Sequence, residues 1–297
     1  MKLAIRPARR SEAKPLVGLY AASGKGKTMS ALLLARGFVG PSGKIVMIET
    51  ESGRGEVYAD SPEVPGGYDV IPLRDDFSPK IYGEAITLAE EGGANVLIID
   101  SASHEWEGTG GVLDMASVNQ AKGKKGMIVW QQPKMDHAKH FMIRLMQTPI
   151  DMVIVCMRAK YPMEQGYDDR GKKTLVRSTE LSPKQSEDLL FEMMIHGWVD
   201  EKHAFRGTKY TRPDLKDVMP DGKPITLETG KALATWAAGA RPKPHPDLAE
   251  ALLAIGKCET LEALESVGVS MKASGFTGKD YDDARVKYMA KMAELSQ

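Results

Sequence analysis

The sequence has little of several features that would assign a protein of 297 residues to a special class. Its two cysteines, Cys156 and Cys258, lie far apart, so nothing indicates a disulfide framework or a zinc site. No apolar run exceeds the length of a strand, which excludes a membrane span, and the first residues lack the apolar core of a signal peptide. We therefore expect a cytoplasmic protein.

Net charge is also absent, because 40 lysines and arginines balance 40 aspartates and glutamates. The bulk charge thus gives no indication of a nucleic-acid partner, and any affinity for DNA must come from local basic segments. The content of hydrophobic residues, 42%, is ordinary for a globular protein and is sufficient for a real core at this length.

The order of apolar segments indicates an α/β protein. Continuous apolar runs are typical of strands covered on both faces, and here they alternate with helical patterns, which predicts a mainly parallel sheet. The predicted strands are Leu16–Tyr20, Ile45–Ile48, Asp69–Leu73, Val96–Ile99 and Met152–Met157, followed by a hairpin of residues 192–199 and 203–209. The predicted helices are Thr28–Gly37, Pro79–Glu91 and Lys134–Gln147.

The composition changes near residue 241, where three prolines in six residues predict a stiff linker. We expect a core of residues 1–240, a linker of residues 241–246, and a small helical C-terminal domain of residues 247–297. That last domain either binds an unknown protein or only covers the core. The basic first fifteen residues are predicted to form an arm or an edge strand.

A phosphate-binding loop lies between the first predicted strand and the first predicted helix. It consists of Ala21, Ala22, Ser23, Gly24, Lys25, Gly26, Lys27 and Thr28. Small residues let successive backbone N–H groups surround a phosphate chain, and the helix start adds a partial positive charge. Lys27 can reach the β- and γ-phosphates of a nucleotide, and the Thr28 hydroxyl can bind Mg²⁺. Ala21 replaces the usual first glycine, at little cost if its φ is negative.

Acidic residues follow two of the other predicted strands. Asp100 ends the strand that begins at Val96 and can hold Mg²⁺ through water, opposite Thr28. Glu51, just beyond the second strand, can orient or deprotonate the water that attacks ATP. Glu105, which follows the Asp100 strand, is the competing candidate for that base.

These residues, in this order, resemble the core of RecA-type recombinases. The strings LYAASGKGKTMSALLLARG, IETESGRGEVYA and VLIIDSASHEWEG, together with Met157-Arg158-Ala159-Lys160, resemble phage-encoded RecA-like ATPases of the AAA-family and single-strand annealing type. The resemblance covers roughly residues 14–237. It implies a P-loop NTPase in the host cytosol that uses ATP and Mg²⁺, with Glu51 as the catalytic base and Lys27 and Thr28 on phosphate and Mg²⁺.

Two basic segments are candidates for contact with single-stranded DNA, because cations neutralise phosphates and tyrosines stack on bases. The first, within residues 158–184, is predicted to be a mobile loop and contains Tyr161, Tyr167, Arg170, Lys172, Lys173 and Arg177. The second contains Lys122, Lys124 and Lys125, with Trp130 nearby. The alternative for both segments is an ordinary solvated surface.

Four further cations have roles that the resemblance suggests. Arg158 and Lys160, which follow the strand ending at Met157, can sense the γ-phosphate. Lys209 and Arg212 can enter the ATP site of a neighbouring subunit in a filament or ring. Exposed charges without a role are the alternative in both cases.

The leading hypothesis is therefore a DNA-stimulated, self-associating ATPase that acts on single-stranded DNA in phage recombination (annealing or strand exchange) or replication. The second hypothesis keeps the ATPase but makes it a helicase loader, a packaging motor or a switch that remodels a partner. A non-hydrolytic binding module or a small-molecule kinase is the third.

Overall fold

The structure is a computed structural model that describes residues 14–167, 172–178, 181–239, 246–273 and 279–295. Its main feature is a sheet of nine strands, in which β6 and β7 take no part. The strands are β1 Leu16–Ala21, β2 Ile45–Glu49, β3 Asp69–Pro72, β4 Val96–Asp100, β5 Met152–Lys160, β6 Met163–Tyr167, β7 Lys173–Arg177, β8 Ser182–Pro183, β9 Ile195–Val199, β10 Ala204–Tyr210 and β11 Lys223–Pro224.

The sheet order is β11-β10-β9-β1-β5-β4-β2-β3, and the short strand β8 pairs with β5. All neighbours from β9 to β3 run parallel, whereas β10 and β11 add an antiparallel edge. The predicted α/β class with a mainly parallel sheet is confirmed, as is the hairpin that closes it. Strand β5 continues to Lys160, three residues beyond the predicted end.

Helices cover both faces of the sheet and account for the uninterrupted apolar strands. They are α1 Lys27–Val39, α2 Pro79–Glu91, α3 Ser103–Glu107, α4 Val112–Ala121, α5 Ile128–Asp136, α6 Ile143–Gln147, α7 Glu187–Glu192, α8 Leu215–Val218, α9 Leu227–Ala237, α10 Pro246–Lys257, α11 Leu261–Ala273 and α12 Lys279–Leu295. Helices α1, α8 and α9 enclose one apolar core, and α2, α6 and α7 enclose the other.

Of two further predictions of local structure, one was confirmed and one was wrong. Residues Lys134–Gln147 are helical throughout as predicted, but the helix starts earlier, with α5, and contains a π-helical turn at His137–Met142 before α6. The mobile loop expected over residues 158–184 is instead the end of β5, the hairpin β6–β7, and β8. The strand β7 fits the β-branched and apolar run Thr174-Leu175-Val176, whose strand signal the flanking Lys173 and Arg177 obscured.

The chain divides into two compact units, Met1–Gly239 and Ala240–Gln297. The second contains α10, α11 and α12, which pack around a small core of Ile255, Cys258, Leu264 and Ala284. The predicted arm, and most of the predicted linker, lie outside the described residues.

Close packing of α1 against α9 holds the helix that follows the phosphate-binding loop. A Cβ on the buried Gly37 would lie 2.0 Å from the Leu227 carbonyl oxygen and 2.9 Å from Gly230 Cα. The two backbones therefore meet where only glycine fits.

Gly37→Ala should lower the free energy of unfolding by about 1–3 kcal/mol, because α1 and α9 would have to separate. Gly92→Ala is the matched control, since Gly92 is exposed at the end of α2 with φ −71°. We expect the control to change stability by less than about 0.5 kcal/mol. Urea unfolding followed by circular dichroism measures both, and equal effects would contradict the packing argument.

Candidate functional site

The predicted phosphate-binding loop, residues 21–28, lies at the carboxyl edge of the parallel strands, where β1 ends and α1 begins. Ala21 is the last residue of β1, so the extended backbone tolerates alanine at the position of the usual glycine. Gly24 and Gly26 have φ of 78° and 84°, values that glycine adopts without strain. The thirteen-residue helix α1 starts directly after Gly26, so its unpaired N–H groups and partial positive charge point into the loop.

Asp100 joins the ends of β4 and α1. Its two carboxylate oxygens accept hydrogen bonds from the Lys27 ammonium and, at 2.6 Å, from the Thr28 hydroxyl. Burial by itself would lower the pKa of Lys27, but Asp100, together with Cys156 and Glu51, more than offsets this effect and holds that pKa above its ordinary value. Lys27 is therefore charged over the whole physiological pH range, with a carboxylate and a hydroxyl oxygen beside it.

Glu49 and Glu51, two acids at the end of β2, have different surroundings. Glu49 is buried at the end of β2, where its carboxylate accepts hydrogen bonds from the backbone N–H of Glu51 at 2.6 Å and of Gly53 at 3.0 Å. Arg74 Nη1 lies 2.6 Å from the same carboxylate. Glu49 thus shapes the turn, and Glu51 extends beyond it.

Helix α3 fixes the residues next to Glu51. Thr50 Oγ1 lies 2.6 Å from His104 Nδ1, and His104 Nε2 lies 3.4 Å from Arg158 Nη1. Burial, and then the Arg158 guanidinium, lower the pKa of His104, so its ring is neutral at pH 7. Arg158 Nε is 4.0 Å from Glu51 Oε1, and the Arg158 backbone N–H donates to Ser103 Oγ.

A cavity of about 480 Å³ lies above the loop of residues 21–28, within the size range typical of small-molecule sites. Its floor is the phosphate-binding loop, and Glu51 and Arg158 form part of its wall. The remaining lining residues are Arg54, Val57, Tyr58, Ala159 and Lys184.

The sequence pattern did not predict that four of these residues would line the cavity. Arg54, Val57 and Tyr58 belong to a short turn and 3₁₀ helix after β2, and their sequence carries no distinctive spacing. Lys184 follows β8 and reaches the cavity because its backbone N–H donates to the Arg158 carbonyl. Only the pairing of β5 with β8 reveals this proximity.

The structure does not bring the competing acid, Glu105, to this cavity. Its carboxylate is completely buried and is bonded to His137 Nδ1 at 2.9 Å and to Gln185 Nε2 at 3.1 Å. As the third residue of α3, it faces the protein interior rather than the phosphate-binding loop. Glu105 is therefore excluded from our assignment of the base.

The four cations with suggested roles lie in different places. Arg158 lines the cavity, whereas Lys160 is exposed two residues further on, where it pairs with Ser182 of β8. Lys209 lies opposite His196, at the amino edge of the parallel strands, and donates to the carbonyl oxygens of Leu190 and Phe191. Arg212 pairs with Asp214 at 3.0 Å.

The hairpin β6–β7 presents two distinct faces. Directly opposed residues of an antiparallel pair share a face, so Tyr167 and Lys173 lie together, as do Met163 and Arg177. The Arg177 guanidinium lies 4.3 Å from the centre of the Tyr161 ring. This basic and aromatic face is exposed, and Thr174 and Val176 belong to the opposite face.

The other suggested DNA-binding residues that the structure describes are exposed. Lys122, Lys124 and Lys125 are exposed in the turn between α4 and α5, and Lys124 Nζ donates to Asn119 at 2.9 Å. Lys172 is exposed next to β7, whereas Arg170 lies outside the described residues.

The described ranges lack two further kinds of feature. No helix within them has both the length and the apolarity needed to cross a membrane. Nor do they contain a group of three or more His, Cys, Asp or Glu side chains arranged to hold a metal ion by themselves.

Comparison with known proteins adds little to this geometry. No protein-family model and no curated protein matches the sequence. Among solved structures, the chain is similar to a prototypical ATPase from the type III secretion system of pathogenic bacteria, with a TM-score of 0.42 and 13% sequence identity. The alignment covers 92% of this chain and 72% of that one. A similarity of this size carries no argument about function.

The turn at Glu49 yields a test of how the cavity wall is held. Glu49→Gln should lower the free energy of unfolding by about 1–3 kcal/mol, because one amide oxygen cannot satisfy two backbone N–H groups and a guanidinium. Glu56→Gln is the control, since Glu56 is exposed and pairs with the same Arg74 at 3.6 Å. It should cost less than about 1 kcal/mol. Chemical denaturation measures both, and an equal loss in the two variants would contradict this role of Glu49.

Proposed function

We propose that the protein is a RecA-like ATPase that binds and hydrolyses ATP in the cavity above the phosphate-binding loop. The observation that carries this proposal is the convergence of Lys27, Thr28 and Glu51 on one cavity, with Asp100 of β4 bonded to both Lys27 and Thr28. A loop alone would support only phosphate binding, whereas an acid facing the same cavity supports hydrolysis.

Binding of the triphosphate is supported by the loop and by two cations on opposite sides. Lys27, held charged by Asp100, can exchange part of that contact for the β- and γ-phosphates. Arg158 lines the cavity from β5 and can contact the terminal phosphate. Tyr58 and Val57 supply the largest apolar surfaces of the lining, which suits stacking of the base.

The residues present also fit a magnesium ion. Thr28 Oγ1 and an Asp100 carboxylate oxygen are 2.6 Å apart, and both are hard oxygen ligands of the kind that Mg²⁺ prefers. Bound there with the nucleotide, Mg²⁺ would neutralise charge on the phosphates. Asp100 would contribute through water, and the Thr28 hydroxyl directly.

Water activation is assigned to Glu51. Its carboxylate faces the cavity beside Arg158 and lies 3.8 Å from Arg54 Nη1, so two guanidiniums limit where it can move. From this position it can accept a proton from a water molecule as that water attacks the γ-phosphorus. Glu49 and His104 position the turn without touching the reacting atoms.

Glu51→Gln should reduce the ATP turnover rate by about 10²–10⁴-fold, because the amide cannot accept the proton, while the affinity for ATP changes little. Steady-state phosphate release measures turnover, and a fluorescent nucleotide analogue measures binding. Glu63→Gln is the matched control, since this acid is exposed between β2 and β3 and contacts Ser61. Undiminished turnover in Glu51→Gln would refute this assignment of the base.

We further propose that the protein acts on single-stranded DNA, as an annealing or strand-exchange protein, through the hairpin β6–β7. The support is the exposed face on which Tyr161 and Tyr167 alternate with Lys173 and Arg177, since stacking and phosphate contact together bind unpaired strands. A helicase loader, packaging motor or partner-remodelling switch would use the same nucleotide site without needing this face.

The position of the hairpin also suggests how DNA would stimulate hydrolysis. The segment that carries it starts at Arg158 and ends at Lys184, and both residues line the nucleotide cavity. Lys184 Nζ is held at 2.9 Å from Glu107 of α3. DNA that orders the hairpin would therefore act on both ends of the segment, next to the γ-phosphate.

Substitutions on the two faces of the hairpin test this proposal. Tyr167→Ala should weaken binding of an oligo(dT) strand by about 1–3 kcal/mol, the usual contribution of one stacked base. Lys173→Ala should weaken it too, and should reduce the dependence of log K on log salt by about 0.7. Thr174→Ala on the opposite face and Lys223→Ala on β11 are the controls.

Fluorescence anisotropy with and without ATP measures the binding, and the ATPase rate with the strand present measures stimulation. Wild-type protein that hydrolyses ATP but neither binds the strand nor is stimulated by it would contradict the DNA proposal and favour the partner-remodelling alternative. We also propose, from the same resemblance, that the protein self-associates with Lys209 and Arg212 at the interface between subunits. Measuring particle size in solution with and without ATP tests this proposal.

A further inference from the structure

A hydrogen-bonded triad lies away from the nucleotide cavity and takes no part in the proposed hydrolysis of ATP. Glu105 Oε1 is 2.9 Å from His137 Nδ1, and His137 Nε2 is 2.9 Å from Ser186 Oγ. The three residues come from α3, the π-helical turn and the position before α7. All three are buried, with the Glu105 side chain completely enclosed.

The carboxylate end sets the direction of the hydrogen bonds in this triad. An ionised Glu105 carboxylate can only accept, so His137 Nδ1 carries the ring proton and donates it to Glu105. In the neutral ring Nε2 is then the acceptor, and Ser186 Oγ donates to it while accepting the Leu189 backbone N–H at 3.3 Å. Gln185 Nε2 donates to the second Glu105 oxygen and to the Ala102 carbonyl, which holds the acid in place.

The triad opens on a separate cavity of about 630 Å³. His137 and Ser186 lie in its lining together with the side chains of Trp106, Trp130, Met127 and Met142. No residue lines both this cavity and the nucleotide cavity. A hydroxyl, a base within hydrogen-bond reach and an acid that orients the base are the parts that an activated serine requires.

We propose that Ser186 is a nucleophile for acyl transfer, with His137 as its general base and Glu105 as the residue that orients the base. The substrate class is a carboxylic ester with an apolar acyl group, because tryptophan and methionine side chains form the apolar part of the cavity wall, beside the charged Lys134, Glu187 and Asp188. Ser186 Oγ would attack the ester carbonyl carbon as its proton passes to His137 Nε2. The ester C–O bond then breaks, and the leaving alkoxide takes that proton.

Water completes the cycle by the same route. It attacks the acyl carbon and gives a proton to His137, which returns it to Ser186 as the free acid leaves. Atoms and charges balance with the ester and water as the only reactants.

A fluorophosphonate probe tests the nucleophile directly, because an activated serine displaces its fluoride and forms a stable phosphonyl ester. The full chain should acquire one adduct, found by mass spectrometry on the peptide that contains Ser186, and should hydrolyse p-nitrophenyl butyrate. Ser186→Asn should abolish both reactions and keep the helix cap, since asparagine caps helices about as well as serine. His137→Gln should slow both by about 10²-fold or more.

Ser117→Ala is the control, because Ser117 is an exposed hydroxyl on α4 that bonds the Leu113 carbonyl at 3.0 Å. Its labelling should equal that of the wild type. Absence of an adduct at Ser186 in folded protein, or equal labelling of the His137→Gln variant, would overturn the proposal and leave a purely structural triad. Suppression of labelling by excess ATP would overturn the assignment of a separate site.

Discussion

The contact of Asp100 with Lys27 and Thr28 is the interaction on which the rest of the proposed site depends. It brings together two segments 73 residues apart, and it exists because parallel strands end at one edge of the sheet. Lys27 could not be buried and charged without a partner of opposite charge, since an isolated ammonium in the interior would deprotonate or move out to solvent. Burial, and then the same carboxylate, raise the pKa of the Cys156 thiol, so that thiol stays neutral.

Helix α3 transmits this arrangement to the surrounding residues. In only five residues it contacts Arg158 through Ser103 and His104, and it contacts Lys184 through Glu107. Both cations belong to the segment that carries the hairpin, so the wall of the proposed nucleotide cavity and the proposed DNA-binding face share one support. A rearrangement of α3 would move both, which is the physical basis of the coupling that we propose.

Sequence reasoning found the parts of the site that depend on local pattern. The phosphate-binding loop, the strand ends at Asp100 and Glu49, and the helix Pro79–Glu91 all follow from spacing within about fifteen residues. Other lining residues have no local signal: Lys184 reaches the cavity through the pairing of β5 with β8, and Tyr58 lies in a 3₁₀ helix after β2 whose sequence carries no distinctive spacing. The π-helical turn at His137–Met142 also has no local sequence signal, because His137 is held by residues distant in sequence. These are Glu105 and Ser186, which are 32 and 49 residues away.

Glu51 and Glu105 show why two acids with similar sequence positions can differ in role. Both follow a buried strand within a few residues, and pattern alone ranks them as competitors. Glu51 lies in the turn that Glu49 holds by accepting the Glu51 backbone N–H. The Glu51 carboxylate faces the cavity, beside the guanidiniums of Arg54 and Arg158. Glu105 lies inside a helix whose turn carries it to the protein interior, where a histidine and an amide satisfy its oxygens. An acid in the first setting is free to accept a proton from water, whereas an acid in the second is committed to orienting His137.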